Sequence, residues 1–353
     1  MNKLIEILPN IILSDNSCLF FAETLRIRNM KISDRKRGCL YGLAIGNALG
    51  VAIEFKEKGK FPLITSYRSG GPHSLQKGNW TDDTSMALAL ADSIFKKGWN
   101  LQDQMTRYLD WFQNGRYTIG DHYYAISYTT RQSLIKFELD GNANNSGDNS
   151  VEFSGNGSIV RLAPISIFYS DRYPDNIEEL SKKAEQSSKT THSNSQCISA
   201  CKYMTLIISG LIAGEAKDMV LSAKWDKLKL IRPLDSSIEK IVSGSYRREE
   251  VRGSGWVVAS LEAALWAFHD ANNFEEAVLR AVNLGEDADT TGAVCGQIAG
   301  AYWGESNIPD NLVHDLKRKD LIEDALKGLG VKKPDTELKD YIDFGPCNSV
   351  KKK

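Results

Sequence analysis

Apolar residues in this chain recur at helical rather than strand spacing. Leu261, Ala264, Leu265 and Phe268 fall at the three- and four-residue steps that put side chains on one helix face. Read this way, the sequence predicts helices over 84–97, 101–113, 123–138, 158–170, 176–189, 194–215, 217–225, 256–270, 274–284, 290–303 and 310–327. No stretch alternates convincingly with period two. The expectation is an all-α chain built around one helical domain. Two connections break the pattern: the polar stretch 140–150, rich in Asn and Gly, and residues 225–255, with Pro233, Gly244, Gly253 and Gly255.

Glycines add a second periodicity. Gly38, Gly42, Gly46 and Gly50 recur every fourth residue, as do Gly292, Gly296 and Gly300. At about 3.6 residues per turn each set shares one helix face. Each glycine costs a helix roughly 1 kcal/mol against alanine. A bare face must return that by letting another backbone or a ligand come close. In a membrane the spacing would suggest helix dimerisation; the polar flanks here favour close packing inside a soluble bundle.

Residues 1–37 stand apart from the domain expected over 38–345. Short apolar runs (Leu4 to Leu8, Ile11 to Leu13, Leu19 to Phe21) precede a basic stretch from Arg26 to Arg37. They read either as an extra helix or two docked on the body, or as an arm whose apolar residues meet a partner protein. Glu6 and Pro9 interrupt the first run, so it is no secretion signal. No apolar run reaches the ~20 residues that span a bilayer. A net charge of −1 writes in no broad attraction to nucleic acid or anionic lipid. The cysteines at 18, 39, 197, 201, 295 and 347 form no Cys-x-x-Cys pair, which suits reduced, packed thiols in a cytoplasmic setting.

The candidate chemistry lies in two acidic clusters, Trp80-Thr81-Asp82-Asp83-Thr84 and Gly285-Glu286-Asp287-Ala288-Asp289-Thr290-Thr291-Gly292. Alone, each reads as a helix start, with a capping hydroxyl or carboxylate and acids favoured by the helix dipole. Together they read as an all-oxygen nest that repels itself unless hard cations such as Mg²⁺ or Mn²⁺ neutralise it. Gly155-Asn156-Gly157-Ser158 before an apolar run is either a turn or a phosphate cradle at a helix N-terminus. It is not a P-loop, because no Gly-Lys-Ser/Thr follows. Glu54, just beyond the glycine face, is either a surface acid or a group that positions water. His192 is either structural or a donor to a phosphate or ribose oxygen.

In chain order these segments, with Gly42 to Gly50, Arg161, Thr191 and Gly255 to Trp266, resemble the ADP-ribosylglycohydrolase family. That family includes the dinitrogenase-reductase-activating glycohydrolases and the ADP-ribosyl-acceptor hydrolases. The resemblance runs from about Gly38 to about Gly304. It implies a compact orthogonal multi-helix bundle holding two Mg²⁺ (or Mn²⁺) ions. The ligands it implies are Thr81, Asp82, Asp83, Asp287, Asp289 and Thr290. The implied activity is release of ADP-ribose from modified protein side chains, arginine first and serine second, reversing mono-ADP-ribosylation. Glu54, then Asp83, would orient the attacking water. Gly155, Asn156, Gly157, Ser158, His192 and Trp256 would contact the substrate. Two departures bear on this. Many relatives carry Asp where this chain has Asn47, and an acidic residue and a glycine where it has Ala125 and Ser127. A second reading is an antitoxin or immunity protein whose N-terminal extension occludes an ADP-ribosyltransferase toxin, with or without hydrolysis. A nucleotide phosphohydrolase ranks below both.

Overall fold

The computed structural model describes residues 26–27, 29–249 and 251–333. The apolar runs of the expected arm and the tail beyond 333 lie outside them. Fourteen α-helices and no β-strand occur among the described residues. In chain order they are α1 (Ile32–Gly50), α2 (Asp82–Lys97), α3 (Leu101–Asn114), α4 (Tyr128–Asp140), α5 (Ala163–Phe168), α6 (Ile177–Lys189) and α7 (Ser195–Ala213). There follow α8 (Lys217–Val220), α9 (Ser236–Val242), α10 (Val257–His269), α11 (Phe274–Val282), α12 (Ala288–Trp303), α13 (Asp310–Asp315) and α14 (Lys319–Gly328).

The two glycine ladders meet each other. A Cβ on Gly38, Gly42 or Gly46 would lie 2.3, 2.1 or 2.0 Å from the carbonyl oxygen of Gly300, Gly296 or Gly292. The pairing runs in reverse order, so α1 and α12 are antiparallel with their backbones in contact. Only residues without side chains allow this, and the packed backbones offset the entropy that glycine costs a helix. The register has a functional consequence: it sets the C-terminal end of α1, with Asn47, against the N-terminal end of α12, with Asp287 and Asp289.

α7 lies inside the bundle. It is apolar and long enough to cross a membrane by composition, but 78% of its most apolar window is buried within the protein. It is the core helix on which α6, α10 and α12 pack.

Several expectations need correction: α4 begins at Tyr128 rather than at 123, α8 ends at Val220 rather than at 225, and the expected irregular connection 225–255 carries α9. The boundary at 37/38 falls inside α1, where Arg35 and Arg37 are buried, so the helical body begins before Gly38. The helix expected over 158–170 spans only Ala163–Phe168. Residues 158–161 form turns, and Pro164, which lacks an N–H, sits in the first turn of the helix, where that donor is not needed. The helix expected over 310–327 is broken between α13 and α14, where Arg318 takes a left-handed φ of 51°. Tertiary contact overrides helical spacing there: Lys317 donates its N–H to Gly78 O at 3.0 Å and accepts the Trp80 indole N–H at 3.0 Å. That contact anchors Trp80, the first residue of the first acidic cluster.

Candidate active site

The acidic clusters, some two hundred residues apart in sequence, converge at the ends of α1, α2 and α12. Asn47 joins them. It is fully buried, and its Nδ2 donates to Thr81 Oγ1 at 2.8 Å and to Asp83 and Asp289 at 3.2 Å each. Its Oδ1 accepts the Thr81 N–H at 2.8 Å and the Thr84 hydroxyl at 3.0 Å. The Thr81 hydroxyl in turn donates to Asp289 at 2.8 Å. Glu54 closes the ring from the 3-10 turn that follows α1. Its carboxylate, with those of Asp287 and Asp289, offers oxygens all within 4.8 Å of one another. Two backbone hydrogen bonds hold that arrangement: Phe55 N–H to Glu286 O at 2.6 Å, and Glu286 N–H to Lys56 O at 2.7 Å.

Capping does not explain these acids. Asn100, Ser127, Asn176, Asn194, Asp235 and Asn273 each begin a helix and each accept a backbone N–H on the side chain. Thr81 and Asp287 occupy the same position on α2 and α12 and make no such bond. Their oxygens turn inward, toward the other acids.

Electrostatics makes the same point. Burial, then the charges of Asp82 and Asp287, pushes the Glu54 carboxyl up to about 8. Burial, then Asp287, pushes Asp82 up to about 7. Asp83 and Asp289 rise well above the ordinary carboxylate range, first by burial and then by mutual repulsion. Burial raises Asp287 too, opposed by hydrogen bonds from Asn156 and Thr290. Five carboxyls that resist ionising together fit hard divalent cations. Glu54 Oε2 is buried without a hydrogen-bond partner, and His73 Nε2 stands 3.8 Å from it.

The glycine loop adjoins the acids. Asn156 N–H donates to Gly255 O at 3.0 Å, and Gly155 bridges to Trp256. The Asn156 side chain donates to Asp287 at 2.7 Å and to Ser260 Oγ at 3.1 Å, so it fixes an acid of the cluster. Ser158 departs from expectation. Its hydroxyl is buried and accepts from Ser188 at 3.1 Å and Cys201 at 3.4 Å, facing the core beneath α7. Only its backbone faces the loop. Nor is the loop at a helix N-terminus, since turns separate it from α5. His192 is fully buried behind Gly155 and Gly157. Trp256 is 47% exposed, its indole N–H held by Gln196 at 2.7 Å. It walls one side of a cleft of about 500 Å³ that reaches Glu286 and also touches Arg248, Arg252 and Glu262. Tyr128 is exposed and stacks with Phe153, ring centroids 5.8 Å apart, on the segments flanking the loop. Sequence reasoning missed both, because an exposed aromatic carries no periodic signal. Ala125, one of the departures, takes a φ of 59° just before this segment. For a residue with a Cβ that costs roughly 1 kcal/mol.

An all-α body that gathers buried acids beside a glycine loop defines a helical protein with an acidic cluster that could hold a metal ion. The ADP-ribosylglycohydrolase family profile matches residues 28–337. The ADP-ribosylarginine hydrolase Tri1 of Serratia proteamaculans is 34% identical over 310 residues, covering 86% of this chain and 81% of that protein. Its counterpart in Pseudomonas putida is 32% identical over 316 residues, covering 88% and 82%. The ADP-ribosyl-[dinitrogen reductase] glycohydrolase of Rhodospirillum rubrum is 26% identical, covering 82% and 92%. A solved structure described as an ADP-ribosylglycohydrolase-related protein complex superposes with a TM-score of 0.74 at 35% identity, covering 85% of this chain and 98% of that one. The chain belongs to the ADP-ribosylglycohydrolase family.

Proposed function

We propose that this protein is a divalent-metal-dependent glycohydrolase that removes ADP-ribose from arginine side chains of modified proteins. The observation that carries the reading is the convergence of Glu54, Asp82, Asp83, Asp287 and Asp289 around Asn47. The two Tri1 relatives, named for arginine hydrolysis, favour arginine over serine as the acceptor. Thr81, Asp82, Asp83, Asp287, Asp289 and Thr290 would hold two Mg²⁺ or Mn²⁺ ions. Bound there, the ions supply charge neutralisation, ligation of ribose hydroxyls and a lowered pKa for a bound water.

The chain's own residues do the rest. Glu54 takes the proton of the attacking water or orients it toward the anomeric carbon, following the carboxylate logic of glycoside cleavage. Its buried, unpartnered Oε2 is the atom free to do so. Asn47 fixes Thr81, Asp83 and Asp289, and Asn156 fixes Asp287, so the ring of acids is assembled without substrate. The loop at Gly155 to Ser158 lays its backbone along the diphosphate, and Trp256 walls the far end of the groove. Attack at the anomeric carbon breaks the bond to the guanidine nitrogen. The guanidine leaves and takes up the proton that the attacking water gives to Glu54, so that water adds across the broken bond.

The test offers proteins carrying ADP-ribosyl-arginine or ADP-ribosyl-serine to the enzyme with Mg²⁺ or Mn²⁺, then with chelator. Free ADP-ribose from the arginine substrate, lost on chelation, is the expected product. Release of AMP or phosphate, or turnover indifferent to chelator, would overturn the reading.

A further inference from the structure

The chain passes from the buried acids to the surface in a single residue. Glu54 is buried, and Phe55 beside it is 71% exposed. Phe55 also takes a left-handed φ of 64°, a conformation that bulky side chains rarely adopt. Glu286, which accepts the Phe55 N–H, takes a φ of 53°. An exposed phenyl ring and a strained backbone both cost free energy, and no burial of that ring returns it. The segment 55–63 that begins here is exposed throughout except at Phe61. Leu63, at its end, is 69% exposed. Lys56, Lys58 and Lys60 outnumber Glu57, and none of these side chains forms an ion pair among the described residues.

Both ends of this loop are pinned. At the start, Phe55 and Lys56 share two backbone hydrogen bonds with Glu286. At the end, Asn283 accepts the Ile64 N–H on Oδ1 at 2.7 Å and donates from Nδ2 to Ile64 O at 2.9 Å. Arg68 donates to the carbonyls of Pro62 and Leu63. Between the ends, a Cβ at Gly285 would lie 2.4 Å from Lys56 O and 2.9 Å from the Phe61 ring, so the loop packs on bare backbone. The two anchors, Asn283 and Glu286, are close in sequence, at most about 10 Å apart. The loop therefore leaves and rejoins the body at one place, on the segment that leads into Asp287. An exposed surface whose shape is fixed in advance gives up little entropy on binding.

We propose that the loop 55–63 is the docking surface for the ADP-ribosylated protein, and that it fits a target whose surface beside the modified arginine is acidic with apolar side chains. The inference rests on the glycohydrolase reading. An acceptor arginine belongs to a whole protein, and that protein covers the mouth of the site while its ADP-ribose is inside. The first surface it meets beyond Glu54 is this loop. Unpaired lysines attract carboxylates at the rim of an interface, and exposed Phe and Leu side chains gain by burial against apolar neighbours. Free ADP-ribosyl-arginine is too small to reach across the loop. The loop therefore acts on protein substrates and leaves the free compound alone.

The experiment uses the full-length protein with Mg²⁺. The substrates are free ADP-ribosyl-arginine and a pair of peptides carrying one ADP-ribosyl-arginine each, flanked by aspartates and leucines or by lysines and leucines. The expected kcat/KM for the acidic peptide is about tenfold above that for the basic one, the gap narrowing as salt is raised. Lys58→Glu combined with Lys60→Glu should raise KM for the acidic peptide about tenfold, with kcat and turnover of the free compound unchanged. Leu63→Ser should lower kcat/KM on both peptides and not on the free compound. Phe55→Gly suits the left-handed φ and removes the ring, so its ratio of peptide to free turnover should fall. Equal turnover of the two peptides by the wild-type enzyme overturns the proposal. So does a charge-reversed variant that loses the free compound to the same extent, since the lysines would then steer the diphosphate. Binding to phosphatidylserine vesicles that charge reversal abolishes, with peptide turnover untouched, would assign the loop to a lipid surface and overturn it too. Failure of the wild-type enzyme to cleave even free ADP-ribosyl-arginine overturns the glycohydrolase reading, and the docking proposal with it.

Discussion

The two ends of α1 bury charge in opposite ways. At its N-terminal end Arg37 reaches Glu305 and Glu323, and Tyr41 donates to Glu323 at 2.7 Å. Nearby, Asp34 accepts the Ser306 N–H at 3.0 Å and the Ser306 hydroxyl at 2.7 Å. Arg37, Glu305, Glu323 and Asp34 each have a partner within the chain. About three turns beyond Arg37, the C-terminal end meets five carboxyls and no Lys or Arg partner, only Asn47, Asn156, threonine hydroxyls and His73, whose pKa burial lowers. One helix and one glycine seam hold both ends. Buried charge that is matched inside the protein ties elements together and does nothing more. Buried charge of one sign raises the pKa of its own members and calls for a ligand of the opposite sign. The second end is therefore where function lies, and the first shows what it would look like if it were merely structural.

The sharpest way to break that contrast is to remove an acid. Asp289→Ala or Asp82→Ala should reduce turnover on the order of a thousandfold or more, several kcal/mol of lost transition-state stabilisation. Circular dichroism should show the helical fold intact. Full activity in either variant would reject the assignment of these acids.

At the paired end the opposite is expected. Arg37→Ala leaves Glu305 and Glu323 without their partner, and it should cost about 3 kcal/mol in urea unfolding. The loss should be the same with Mg²⁺ or with chelator. A loss that depends on metal would erase the distinction between the ends.

Asn47→Asp sharpens the contrast from within the site. It adds a carboxylate to the crowd and removes the amide that donates to Asp83 and Asp289. The chelated protein should lose about 2 kcal/mol, as expected for unpaired buried groups. The stabilisation by added Mg²⁺, read as a shift in Tm, should widen. An unchanged shift would mean that Asn47 is not coupled to the acids.

The smallest effect is on pH dependence. Glu54 and Asp82 titrate in the folded chain near 8 and 7, above the ordinary 4.5 and 3.8 they have when unfolded. Between those limits the folded state binds more protons than the unfolded one. Stability of the chelated protein should therefore be greatest below about pH 4 and fall as pH rises to about 8. Repeating the scan with Asp82→Asn should flatten part of that slope. A chelated protein that grows more stable across this window would contradict the crowding of like charge.

Much of this molecule was legible before its structure. Helical spacing located most of the long helices, and the repeats at Gly38 to Gly50 and Gly292 to Gly300 announced a backbone contact. Local patterns failed where tertiary contacts took over. The bend at Arg318 exists to reach Gly78 and Trp80, and no residue near it in sequence signals that. Ser158 carried the right motif but faces the core, because a hydroxyl's direction depends on what packs behind it. The acids at 82–83 and 287–289 were each readable as an ambiguous helix start, and only taken together did they suggest a nest for hard cations. The missing side-chain caps at Thr81 and Asp287, visible only in three dimensions, separate them from the six ordinary ones.

By itself, then, the sequence determined the helices, the seam of glycines and the types of donor available, because these depend on local spacing and side-chain chemistry. The tertiary structure alone decided which acids share one buried space, that Asn47 links them, and which way Ser158 and His192 face. Those properties depend on distances between residues far apart in the chain. Like charges alter one another's ionisation only once folding has brought them within a few ångströms in a medium from which water is excluded.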